Sequence, residues 1–495
     1  MESRSLPKSI DYSDVLPKAI PAVARRRKFY PQNGTTFNAG GSREIRIDIH
    51  SVNSLMDPHA SYLEVEVQNN NAAATFGIDI GGGHCLFETC RVEQGGRVLT
   101  EIQEYNRLHA AILNYTQDST DSQRTASLTE FQKCMNGAVG AGGNTALAVN
   151  GLDADTYGNC KHNADTQFGA GDKYRFTIPL QTGLFTQDKL IPLPLLRQDA
   201  PLTLVYVLAP PASVGVWSAA PAETDLEVVS ISVNAQLIEV GRDAIEQIRQ
   251  IQMMSGGQLA ISGQDFEHYS DLLPAASTGE QVIRIPARKR SLKSLFFAIQ
   301  SSTFANGGAG MAEDNCYSLS YAGCANMLDY QLKVGSVVYP PTPIQAFQAE
   351  PVANAGELER GESVMELAKA LGSLGFRHPT GRLNTITYAT NIGGIANGDT
   401  GDGAGATLAP QSISTQSVCP FGLDLDAFQH TAIEAGVDSQ TLSQESNLIL
   451  NIGPGDPAAA VPIVGSGLQP KNVNVFVLYD QHYYFGADGM ITFSN

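Results

Sequence analysis

Polar and apolar residues alternate along most of this chain with a period of two. In "REIRIDIHSV", Ile45, Ile47 and Ile49 fall on one side and Arg46 and Asp48 on the other. In "SYLEVEVQN", Leu63, Val65 and Val67 oppose Glu64 and Glu66. Successive side chains of a strand point to opposite faces, so this pattern predicts strands with one buried face. The same reading predicts strands in "KYRFTIPL", "LTLVYVLA", "LEVVSISVNAQLIEV", "QVIRIPA", "SLKSLFFAIQ", "LDYQLKVGSVVYP" and "NVNVFVLYDQHYYF". Strands of this length between turn residues indicate sandwiches of antiparallel sheets, not a parallel α/β framework.

Helical spacing is rare. "LTEIQEYNRLHAAIL" aligns Ile102, Tyr105, Leu108 and Ile112, and "DAIEQIRQIQMM" aligns Ile245, Ile248 and Ile251. "GESVMELAKALGSL" aligns Val364, Leu367 and Leu371, and "LDLDAFQHTAIEAG" is a fourth candidate. Each is expected to be a packing helix laid on a sandwich. Residues 136–172 and 389–418 lack periodicity and are rich in Gly, Ala, Asn and Asp, as long surface loops are. The phrases "RVEQGGRVLTEIQEY" and "QLKVGSVVYPPTPIQAF" echo each other, each a strand, a glycine turn and an apolar exit. The echo predicts two similar halves joined near residues 250–262.

A length of 495 residues predicts two to four domains, and 42% apolar content is enough for their cores. Only 17% of the residues are charged, which suits a protein that buries surface against its own copies. The net charge of −18 is uneven: residues 1–30 carry +4, with Arg25, Arg26, Arg27 and Lys28 in one run, and the remainder −22. An acidic body of this kind repels phosphates and argues against general nucleic-acid binding. No apolar run is long enough to span a membrane, and the first residues lack an apolar signal core, which predicts no classical secretion. Seven scattered cysteines with no CxxC pair are expected to be buried free thiols.

Candidate chemistry is thin. "GIDIGGG" (77–83) resembles a phosphate loop, whose glycines let backbone N–H groups close on an anion. No hydroxyl residue follows these glycines, no second phosphate loop is bracketed by strand and helix, and no GxxxxGK[ST] occurs. Gly81–Gly83 are therefore expected to turn the chain between two strands. "NGDTGDGAG", with Asp399 and Asp402, lacks the spacing and closing Glu of a calcium loop. The nine histidines show no metal spacing, and no GxSxG or HExxH appears. The aromatic cluster "YDQHYYF" (479–485) is expected to fill a core or an interface. Nothing points to catalysis, a metal or a cofactor.

The succession "FYPQNGTTFNAGGSREIRIDI", "LMDPHASYLEVEV", "RVEQGGRVLTEIQEYNRL" and "TGLFTQDKLIPLPLLRQDAPLTLVYVLA" resembles double jelly-roll major capsid proteins, above all those of virophages, polintons and polinton-like viruses. "RSLKSLFFAIQ", "YQLKVGSVVYPPTPI", "FGLDLDAFQHTAIEAGVDSQTLSQESNLIL" and "VFVLYDQHYYFGADGMITFS" resemble the family's later landmarks, so the likeness runs over residues 29–495. It implies an all-β chain of two consecutive eight-stranded antiparallel jelly rolls with a few short packing helices. The parts would be a basic arm (1–30), a first roll (31–255) and a second roll (256–495). Three chains would form a pseudo-hexagonal capsomer that tiles an icosahedral DNA-virus shell, assembled inside the host cell, with minor capsid or penton proteins as further partners. The arm, through Arg25, Arg26, Arg27 and Lys28, would face an inner membrane or the genome, and loops 136–172 and 389–418 would point outward. The resemblance implies no enzyme, and carries no catalytic residue, metal or cofactor. The rival reading is a jelly-roll carbohydrate-binding protein, lectin-like or fibre-like, which would normally carry a denser aromatic patch than a chain with one tryptophan offers.

Overall fold

The computed structural model describes residues 22–72, 74, 76–79, 81–113, 170–187, 189–217, 221–274, 277–301, 319, 322, 327–346, 361–372, 420–427, 436–440, 446–453 and 471–494. The loop stretches 136–169 and 389–418, with Asp399 and Asp402, lie outside these residues, as do residues 1–21.

In the first half the long strands are β1 (Ala22–Phe29), β3 (Glu44–Ile49), β4 (Ser54–Asn69), β6 (Phe87–Gln94), β7 (Arg97–Gln103), β8 (Lys173–Pro179), β9 (Leu202–Leu208) and β11 (Leu226–Val240). Three short ones, β2 (Phe37–Asn38), β5 (Phe76–Ile78) and β10 (Gly215–Trp217), lie between them. The second half has β12 (Gln258–Leu273), β13 (Gly279–Ile285), β14 (Leu292–Ser301), β15 (Met327–Val334), β16 (Val337–Gln345), β17 (Phe421–Asp424), β18 (Ser446–Ile452), β19 (Lys471–Gly486) and the short β20 (Ile491–Ser494).

The sheets repeat one plan. In the first half they run β1-β11-β4-β8 and β3-β9-β6-β7; in the second, β12-β19-β14-β17 and β13-β18-β15-β16. If the long strands of each half are counted in chain order, both halves place them first-eighth-third-sixth in one sheet and second-seventh-fourth-fifth in the other. All these pairings are antiparallel. The echoing phrases fall on the fourth and fifth strands of each half. Gly95 (φ +57°) and Gly96 (φ +81°) turn β6 into β7, and Gly335 (φ +61°) with Ser336 turns β15 into β16. Two-residue hairpins need this positive φ to match strand twist, which is why glycine recurs there.

Alternation delivers the core. Ile45, Ile47, Ile49, Leu63, Val65 and Val67 are all buried, and Glu64 and Glu66 on the opposite face are only partly buried. In the first half Phe76 packs on Trp217, whose indole N–H donates to the Pro211 carbonyl at 2.8 Å. In the second, Phe297 stacks on Phe421 with ring centroids 5.1 Å apart, and the Tyr330 hydroxyl donates to the Gly422 carbonyl at 3.1 Å.

The helical expectations divide. Helices form at Arg242–Met254 and Gly361–Gly372, the latter burying Leu367 and Leu371. "LTEIQEYNRLHAAIL" is strand as far as Gln103. Glu104 then adopts φ +51° and helical turns run from Tyr105 to Ile112, so Ile102 belongs to a strand and not to a helical stripe. All four aligned residues are buried, because strand and helix abut the same core. In "LDLDAFQHTAIEAG", Leu423 and Asp424 end β17, and residues 428–435 lie outside the described ones. Among the described residues no helix is long and apolar enough to cross a membrane.

Candidate functional site

The glycine stretch holds no open loop. β5 ends at Ile78, and Gly82–Leu86 form a buried single-turn helix leading into β6. A methyl group on Gly81 would meet Cys85 Sγ at 2.8 Å, and one on Gly83 would meet Ile178 Cδ1 at 2.9 Å. The Gly82 N–H donates to the Asp79 carbonyl at 2.9 Å. Glycine stands here because the chain passes close to its neighbours. Beside it, the imidazoles of His84 and His109 stack with centroids 3.8 Å apart, and Tyr105 Oη is hydrogen-bonded to His84 Nδ1 at 2.9 Å. Burial first, and the neighbouring His84 second, hold the His109 pKa well below that of a free imidazole. The cluster is buried core packing.

Cys85 and Cys90 are buried thiols; the other five cysteines lie outside the described residues. Of the aromatic cluster, Tyr479, Tyr483 and Phe485 are buried. Among the described residues no group of three or more His, Cys, Asp or Glu could hold a metal.

The basic run is not a loose arm. Arg25, Arg26, Arg27 and Lys28 lie on β1, which is hydrogen-bonded along its whole length to β11, from Ala22↔Val240 to Phe29↔Val233. Their charges meet partners within that sheet. Arg25 Nε lies 3.2 Å from Glu239, and Lys28 Nζ lies 2.9 Å from Glu64. Arg26 donates to the Asn234 side-chain carbonyl at 3.1 Å and covers the Tyr62 ring, while Arg27 covers the ring of Phe29. β1 is an edge strand, and charged side chains on an edge discourage stray pairing.

The most elaborate polar constellation lies between the two sandwiches, where β7 of the first meets β12 and β20 of the second. Buried Gln94 donates to the Gly489 carbonyl at 2.9 Å and the Ala200 carbonyl at 3.2 Å, and accepts from the Ile491 N–H at 2.6 Å. Gln481, also buried, donates to the Leu99 carbonyl at 3.2 Å. The Leu319 N–H donates to Asp79 Oδ2 at 3.0 Å, and Arg107 is hydrogen-bonded to Gln300. At Gly183 the backbone comes so close that an added methyl would strike the Tyr483 hydroxyl and sit 3.1 Å from Asp265 Cβ. Burial pushes the Asp265 carboxyl up to about 7, against the Phe266 N–H, Lys289, the Gly183 N–H and Tyr479, which all pull it down. Buried amides satisfied on both sides fix one mutual placement of the sandwiches, because any shift would strand them without partners. Sequence inspection did not single out Gln94, Gln481 or Asp265: an isolated polar residue in a strand looks the same whether it meets water or a second sandwich.

This arrangement of two sandwiches, held side by side, covers nearly the whole length of known viral proteins. The VP54 of PBCV-1, as fitted into a cryo-electron-microscopy reconstruction of the virophage Sputnik, superposes with a TM-score of 0.58 at 10% identity, over 98% of this chain and 99% of that one. The chain is a double jelly roll. The Faustovirus major capsid protein matches with a TM-score of 0.52 at 9% identity (97% and 92% covered), and the mavirus major capsid protein with 0.50 at 11% (99% and 95%). No family model and no curated protein matches the sequence. The two rolls thus share their fold with capsid proteins at identities where only architecture persists.

Proposed function

We propose that this double jelly roll is a structural capsid subunit and not an enzyme. Three copies would form a pseudo-hexagonal capsomer, and capsomers would tile an icosahedral shell of a DNA virus. The observation that carries this is the pair of rolls with identical strand order, locked side by side by buried polar groups. A rigid block of two similar rolls joined head to tail supplies two of the six similar edges a hexagonal outline needs, so three blocks complete it. The likeness to viral capsid structures over almost the full chain supports the same reading. Neighbouring capsomers, and minor capsid or penton proteins at the vertices, would be the partners, and the virion the location. For Arg25, Arg26, Arg27 and Lys28, a place on a paired strand favours contact with protein over contact with a membrane or genome. The carbohydrate-binding alternative gains no support from the aromatic cluster, whose rings Tyr479, Tyr483 and Phe485 are spent on the core.

The test is the solution mass of the purified chain with negative-stain images of the same sample. Particles of three times the 52.7 kDa chain mass with a hexagonal outline are expected. A monomer at every concentration, without hexagonal particles, would sink the proposal.

A further inference from the structure

Within the chain, the seam joins the fifth strand of the first roll, β7, to the first strand of the second, β12. The counterparts left over are the first strand of the first roll, β1, and the fifth strand of the second, β16. We propose that these meet between copies: β1 of one chain packs against β16 and the helix Gly361–Gly372 of the next, repeating between chains the seam found within one. This rests on the capsomer reading above and adds which surfaces meet.

Exposure sets the two pairs apart. β7 buries Leu99, Thr100 and Ile102, whereas β16 buries only Ile344 and leaves Val337 43% exposed. On β1 every residue from Ala22 to Lys28 is exposed, Val23 to 55%, and Tyr30 just beyond it to 62%. No strand other than β11 pairs with β1 among the described residues. Apolar side chains are thus left facing water on β1 and β16, the counterparts of the two strands that meet in the seam.

The helices follow the same logic. In the first roll, helical turns beginning at Tyr105 follow β7, and Arg107 from them reaches across the seam to Gln300. In the second roll, the helix Gly361–Gly372 is the next described element after β16 and packs beside it, with Met365 61% exposed. Its first turn carries Glu362, exposed although it accepts the Gln345 N–H at 3.1 Å, as the acidic group suited to Arg25 and Arg27 of an approaching β1, whereas Glu366 is paired with Lys369 on the same helix. The Arg25 side chain remains 69% exposed despite its contact with Glu239, so its charge is available. A basic and apolar strip therefore faces an apolar one that carries the exposed Glu362. Head-to-tail contacts of this kind close into a ring when the rotation returns to the start. With two rolls per chain, three copies would then have six alike seams, three within chains and three between.

Two experiments on the full-length chain test this. In the double variant Val23→Cys with Val337→Cys, a short bismaleimide should link chains into covalent dimers and trimers on a denaturing gel. The parent chain gives the background, and Val23→Cys with Val282→Cys, on β13 at the far edge of the sheet from β16, should give no more than that background. Separately, Arg25→Glu with Arg27→Glu should cut the trimer fraction about tenfold at low micromolar concentration with an unchanged circular-dichroism spectrum, as expected for like charges brought together across an interface. If the parent chain is trimeric but the linked species stay at background and the charge-reversed trimers persist, this seam is wrong while the capsomer reading stands. If the parent chain itself is monomeric throughout, the capsomer reading fails and this inference falls with it.

Discussion

Asp265 carries its carboxyl into the seam between the rolls, where water has almost no access. Burial is the largest influence on it and holds it neutral until about pH 7, against 3.8 for a free side chain. A carboxyl whose folded pKa lies above its unfolded value contributes stability below the unfolded value and loses it as pH rises toward the folded one. Between those limits the loss reaches ~4 kcal/mol. Asp265→Asn keeps the shape and cannot ionise. Its melting temperature should exceed that of the parent at pH 8 and fall back to it near pH 4, as scanning calorimetry at both pH values would show. Equal melting curves at pH 8 would mean that the carboxyl finds more solvation than its burial implies. The residue lies in "GQDFEHYSD", where Asp265 has acidic and histidine neighbours and nothing marks it as interior. Its environment is made by Gly183 and Tyr483, from 82 residues before and 218 after it, so no local reading could have found it.

At the level of elements, alternation located most of the strands, since one face of each is buried and the other is wet. It failed on β1, "AVARRRKF", where only Phe29 is buried and there is no inner face to read. Four consecutive cations look like a tail in sequence; in space they form an edge strand whose partner β11 lies two hundred residues on. β12 escaped notice for a related reason: its inward positions include Asp265, and its pattern is set as much by the seam as by its own core. Both turns of the echoing hairpins were legible, because a two-residue turn dictates glycine locally. The place of β1 bears on truncation. Removing residues 1–28 deletes all of that strand but Phe29 and uncovers Ala235 and Leu237 on β11. That variant should melt well below one lacking only residues 1–21, by about 10 °C or more if two apolar side chains lose their cover. Identical thermal denaturation of the two would show that β11 does not need β1.

For the whole molecule, the decisive quantity is the coupling of the two rolls. Gln94 alone bonds to the Ala200 carbonyl of its own roll and to Gly489 and Ile491 of the other. Gln94→Ala leaves buried backbone groups without partners, each at a cost of about 1–3 kcal/mol. Calorimetry of the variant should show a lower melting temperature and a broadened or divided transition as the rolls begin to unfold separately; a sharp, unshifted one would assign the coupling elsewhere. The strand order has a further consequence, in time instead of energy. Arg26 bonds to Asn234, 208 residues later in the chain. At about 5–20 residues per second of synthesis, β1 leaves the ribosome some 10–40 s before the strand that will hold it. A strand that must wait so long in solution is better kept soluble by four cations than by four apolar side chains, and the charge that marks it in the sequence also protects it during the wait.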